Sequence, residues 1–119
     1  MNCLLVRLMR EKAVLLSPVV EETVKTVSAV LLGASIFYTH LLFGCIEAVG
    51  DLHYSRKLGL PAACLSIGGH AVFGLATQLL YRWVNLFYAV GVGLTLHLLW
   101  NCTIWCLLKN LEQNCKSKG

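Results

Sequence analysis

The chain has 119 residues, of which 13% are charged and 57% apolar, with a mean hydropathy of +0.69. Soluble domains carry about 25% charged residues, so this composition excludes a disordered tail, a collagenous chain, a disulfide-stapled toxin and an ordinary cytosolic enzyme. The formal charge of +4 sits at the ends of apolar runs, as the positive-inside rule expects, and does not indicate a nucleic-acid surface.

Residues 1–12 read as a short amphipathic lead, with Leu4, Leu5, Val6 and Leu8 among Arg7, Arg10 and Lys12. No small-residue cleavage site follows an apolar core, so the lead does not read as a signal peptide. Four apolar stretches come next, at about 13–32, 35–52, 60–81 and 84–108. A spanning helix needs about 20 residues, and the third and fourth stretches have them. Arg82-Trp83 marks one membrane interface, and Trp105, Lys109 and the Lys116-Ser117-Lys118 tail mark the other.

The first two stretches are separated only by Gly33-Ala34-Ser35. A single helix of about 30 residues there would be about 45 Å long, against a hydrocarbon core about 30 Å thick. Charge favours a turn near Gly33. Both termini and the 55–59 loop then share one side with Arg7, Arg10, Lys12, Arg56, Lys57, Lys109, Lys116 and Lys118, eight of the ten basic residues. The expectation is an all-α, polytopic transmembrane bundle of about four spanning helices. Residues 13–108 form the membrane domain, 109–119 a basic cytoplasmic tail, and both termini are cytoplasmic.

Ionisable groups inside a bilayer cost roughly 2.5–3.5 kcal/mol each on insertion scales and are functional suspects by default. This chain has Glu21, Glu22 and Lys25 on the first helix, His40, Glu47 and Asp51 along one face of the second, His70 on the third, and His97 with Asn101 on the fourth. Counted at 1.5 Å per residue, Glu21, Glu47, His70 and His97 fall roughly 12–17 Å from the cytoplasmic edge. Four unrelated residues would scatter; one buried polar cluster would not.

Plainer readings stand beside this one. Glu22 with Lys25 is also an ordinary neutralising pair, and Pro18 before two acids is also an ordinary helix start. His40 reads as structural, and Asp51 and His53 as solvated near a helix end. Gly68, Gly69, Gly74, Gly91 and Gly93 read as sites of close helix approach. The six cysteines contain no CxxC pair; Cys102 and Cys106, one turn apart, offer only half of a metal site. A glutamate shielded from bulk water suits general-base work on a water molecule, with histidine to share the proton and a histidine-asparagine pair to steady an oxyanion. The same Glu and His residues suit a divalent metal such as zinc, although HExxH is absent.

Ser17-Pro18-Val19-Val20-Glu21-Glu22-Thr23-Val24-Lys25 resembles the P-x-x-E-E-x-x-K motif of the PrsW-type intramembrane proteases, relatives of the CAAX prenyl proteases and Abi proteins. Phe43-Gly44-Cys45-Ile46-Glu47-Ala48 resembles the second motif, with Ala48 in place of Asn. Gly69-His70-Ala71-Val72-Phe73-Gly74 resembles G-H-A-x-F-G, and His97-Leu98-Leu99-Trp100-Asn101 the closing H-x-x-x-N. The four occur in order over about residues 17–105, on about four helices where relatives have roughly seven or eight.

The resemblance implies an intramembrane endopeptidase acting on a membrane-embedded or membrane-proximal peptide. Glu21 and Glu22 would be its catalytic acids, His70 would polarise water, and His97 with Asn101 would steady the oxyanion; Lys25 and Glu47 would support them. The site is expected either to be metal-free or to hold a divalent metal through Glu22, His70 and His97. The expected surroundings are the lipid bilayer and a peptide substrate, with room for a homo-oligomer and no nucleic acid. Two other readings use the same residues: a non-catalytic membrane binding or immunity-type protein, and an ion- or proton-coupled carrier subunit.

Overall fold

The computed structural model describes residues 3–54 and 59–117. These form four α-helices: α1 (Cys3–Leu31), α2 (Ile36–Tyr54), α3 (Gly59–Trp83) and α4 (Leu86–Ser117). Most of the loop expected at 55–59, with Arg56 and Lys57, lies outside the described residues. The amphipathic lead continues into the first apolar stretch as one helix. Pro18 is therefore inside α1 and does not start it. Its missing N–H removes one rung of the helix ladder.

The turn at Gly33 has a clear physical origin. Gly33 has φ of 65°, the left-handed conformation that closes a helix and that glycine adopts without a Cβ clash. The Gly33 amide donates to the Val30 carbonyl at 3.2 Å and the Ala34 amide to Ala29 at 2.8 Å, the paired bonds of a Schellman cap. Ser35 then caps α2 through the Tyr38 amide at 3.5 Å. Gln78 of α3 accepts from the Phe37 amide at 3.3 Å and from the Ser35 hydroxyl at 3.2 Å. Asn85 caps α4 through the Tyr88 amide at 3.1 Å. Thus α1 and α2 are two helices, as the charge argument requires.

Two segments, α3 and Leu86–Leu107 of α4, are long and apolar enough to cross a membrane, with mean hydropathies of 1.4 and 1.5. In α1 and α2 the ionisable residues lower the hydropathy. Three of them, Glu22, Lys25 and His40, face inward and are buried, while Lys12, Glu47 and His53 are exposed. The buried polar groups among the described residues include Glu22, Lys25, Thr26, His40, His70, Thr77 and His97, whereas Val20, Leu32, Leu42, Val72 and Phe87 are exposed. A water-soluble bundle has the opposite arrangement.

Glycine makes the polar interior tight. A Cβ on Gly44 of α2 would lie 2.8 Å from the His70 Cβ of α3, and one on Gly74 of α3 would lie 2.6 Å from the His40 Cβ of α2. Each of these two helices thus seats a histidine over the other's glycine. Gly93 of α4 does the same for Thr77, at 2.6 Å, and Gly69 lies against Trp100. Gly68 and Gly91 correct the sequence expectation: among the described residues nothing lies within 4 Å of a Cβ on either. Gly74→Ala is expected to lose about 1–3 kcal/mol through overpacking, while Gly68→Ala and Gly91→Ala gain up to about 1 kcal/mol from helix propensity. Thermal unfolding in detergent, followed by circular dichroism, checks the ranking.

Candidate active site within the bundle

All four helices contribute to one polar cluster. Glu22 of α1 is at its centre, with 0% of its surface exposed. Its Oε1 accepts from His97 Nδ1 of α4 at 2.8 Å and lies 3.6 Å from the Lys25 ammonium. Its Oε2 faces His40 Nε2 of α2 at 3.6 Å, too far for a hydrogen bond. The ion pair with Lys25 is real, as the plainer reading has it, but both partners are buried. Position i,i+3 on one helix places them together, and α2, α3 and α4 close over them.

Closer to the surface, His70 Nε2 of α3 donates to Glu47 Oε2 of α2 at 2.7 Å. A proton on Nε2 leaves Nδ1 as an acceptor, and the Lys25 ammonium stands 3.5 Å from it. Lys25 also bonds Glu21 Oε2 at 3.3 Å and lies 5.0 Å above the Phe43 ring. The other Glu21 oxygen accepts from the Ser17 hydroxyl. Phe73 holds the histidines in place: its ring stacks on His97 at 5.3 Å and meets His70 edge-on at 6.0 Å. The two imidazoles are 5.5 Å apart.

A cleft of about 290 Å³ adjoins the cluster, lined by Glu21, Lys25, Phe43, Ile46, Glu47 and His70. Glu21 and Glu47 are its accessible carboxylates, with side chains 36% and 50% exposed. Charged groups beside Phe43 and Ile46 suit an extended peptide backbone bearing an apolar side chain.

The structure brings six of the seven sequence-derived site residues together: Glu21, Glu22, Lys25, Glu47, His70 and His97. Asn101, one turn beyond His97, is half-buried and bonds none of them among the described residues. Neither His97 nor Asn101 lines the cleft. The structure adds detail to one plainer reading, that His40 is structural, and corrects another. His40 is fully buried against Glu22 and Thr26, so it belongs to the cluster. Asp51 is not merely solvated, because it accepts from the Ser66 hydroxyl of α3 at 2.8 Å. Cys102 and Cys106 are exposed free thiols. No family model, curated protein or solved structure matches this chain.

Proposed function

We propose that the chain is an intramembrane endopeptidase of the PrsW type, with all four helices in the bilayer and both termini cytoplasmic. The observation that carries this reading is the meeting, in one polar cluster, of residues from all four motifs on four separate helices, with Glu21, Lys25, Glu47 and His70 lining the adjoining cleft. The distribution of polarity supports four spans: Glu22, Lys25 and His40 of α1 and α2 are buried, whereas Val20, Val24, Leu42 and Ile46 of the same helices are exposed.

Glu21 is the general base in this reading. Its carboxylate reaches the cleft, and Glu22 does not. Glu21 takes a proton from water as the water oxygen bonds to the scissile carbonyl carbon, then passes it to the departing amide nitrogen. Lys25, in the cleft lining, is the donor positioned to stabilise the oxyanion, since His70 gives its Nε2–H to Glu47 and turns an accepting Nδ1 to Lys25. Glu47 fixes the His70 ring, and Glu22 with His97 braces the cluster from beneath. The oxyanion role that the resemblance assigns to His97 and Asn101 thus passes to Lys25.

One observation favours a second reading. Glu47, His70, Lys25, Glu22 and His97 make an unbroken series of ionisable groups, each within 3.6 Å of the next, as a proton carrier would need. Purified chain in detergent, incubated with a panel of single-span peptides and read by mass spectrometry, tests the first. Defined cleavage within or beside the apolar segment is expected. Intact peptides from a well-folded chain, with proton flux into liposomes, would replace the peptidase with the carrier.

A further inference from the structure

The geometry points to a divalent-cation site formed by Glu22, His40 and His70, in which the Lys25 ammonium is the resident cation that a metal displaces. The inference does not depend on the peptidase reading. One donor atom from each of the three residues lies within 4.8 Å of the other two, and all three residues are buried. Two ligands about 2.1 Å from a common ion stand about 3.4 Å apart in a tetrahedral site. The 3.6 Å between Glu22 Oε2 and His40 Nε2 already meets that spacing, and the longest separation, at most 4.8 Å, needs a closing shift of up to about 1.4 Å.

Of the three donor atoms, Glu22 Oε2 has no hydrogen bond, whereas His40 Nε2 meets the Thr26 hydroxyl at 3.4 Å and His70 Nδ1 meets Lys25 at 3.5 Å, two long contacts that a metal would replace. Glu22 Oε1 is occupied by His97, while Oε2 is fully buried without a hydrogen bond. His70 Nε2 is occupied by Glu47, so its Nδ1 is turned towards Lys25. A carboxylate holding the far nitrogen of a histidine is the usual outer support of a metal-bound imidazole, fixing the tautomer and ring angle. Glu47–His70 has that form, and His97 fixes the Glu22 carboxylate through its other oxygen.

Charge points the same way. Glu21, Glu22 and Glu47 face a single ammonium, so with neutral histidines the cluster carries two uncompensated negative charges. Lys25 lies 3.3–3.6 Å from Glu21, His70 and Glu22, where it partly supplies what a cation would. Its four-carbon stem allows the ammonium to swing towards Glu21 and the cleft. The set differs from the Glu22, His70 and His97 expected from sequence, since His97 bonds the carboxylate and His40 takes its place.

The test uses the full chain in detergent, its exposed cysteines alkylated, titrated with Co²⁺ and Zn²⁺. Bound metal per chain is measured after gel filtration, together with the visible spectrum of cobalt. One equivalent is expected, with Lys25→Ala binding at least about tenfold tighter because a neighbouring like charge is removed. Glu47→Gln should weaken binding by about 10–100-fold. In the Lys25→Ala background, His40→Ala and the bulkier His40→Gln should both abolish the stoichiometric site. Absence of stoichiometric metal in folded Lys25→Ala would overturn the proposal. So would binding unchanged in either folded His40 variant, which would mark the metal as held elsewhere.

Discussion

Replacing Glu22 with alanine is expected to unfold the bundle at ordinary temperature. Removing one partner of a buried ion pair costs about 3–5 kcal/mol, because the other charge stays desolvated and uncompensated. Lys25 is 1% exposed and among the described residues would keep only Glu21 as an anionic partner within 4 Å, while His97 would lose its bond at 2.8 Å. Such a loss is a large part of a small domain's total stability. The double variant Glu22→Leu with Lys25→Met should recover most of it, since removing both charges with little change in volume is often neutral. Chemical and thermal unfolding of the three proteins in detergent would decide the matter. A Glu22→Ala protein as stable as wild type would mean that the carboxylate does not hold the helices together.

Glu21→Gln should do the reverse. Its side chain is 36% exposed, and its contacts are Lys25 and Ser17 on the same helix. Partly solvated pairs of this kind contribute about 0–1 kcal/mol, so the melting temperature should stay near that of wild type. If Glu21 is the base, peptide hydrolysis should fall by about 10²–10⁴-fold. Measured side by side, adjacent glutamates then separate into one governing turnover and one governing stability. Equal activity losses with equal destabilisation would deny the division, and full activity in Glu21→Gln would move the base to Glu47 or His70.

The sequence made the helix content and the turn at Gly33 legible, because both follow from short-range chemistry and the placement of charge. It also showed which apolar helices carry misplaced polar residues, and a count of depth along each helix suffices to group Glu21, Glu47, His70 and His97. Depth counting fails for His40. It sits seven residues from Glu47, nearly two turns, so both can reach the interior only if the cluster extends along the bundle axis. That extent depends on the offset between α1 and α2, which the caps at Gly33 and Ser35 set and no periodicity reveals. The glycines fail for a related reason: composition marks small residues but not the face each turns to a neighbour. Gly68 and Gly69 are adjacent, yet only Gly69 has a partner, Trp100. Nor does spacing show that Asp51 finds Ser66 on the next helix.

The exchanged seating of His40 over Gly74 and His70 over Gly44 has a consequence for heredity. At each crossing the quantity under selection is the combined bulk of two residues on different helices, so neither position drifts alone. A methyl gained at Gly44 is tolerable only once position 70 has shrunk, and the intermediate is less fit in either order. If positions 44 and 70 are randomised together and folded variants selected, small-with-large pairs should dominate, with a thin class of alanine-with-small solutions. Such a library would recover the contact between α2 and α3 from sequences alone, and would show whether imidazole is kept at position 70 for its size or for its chemistry.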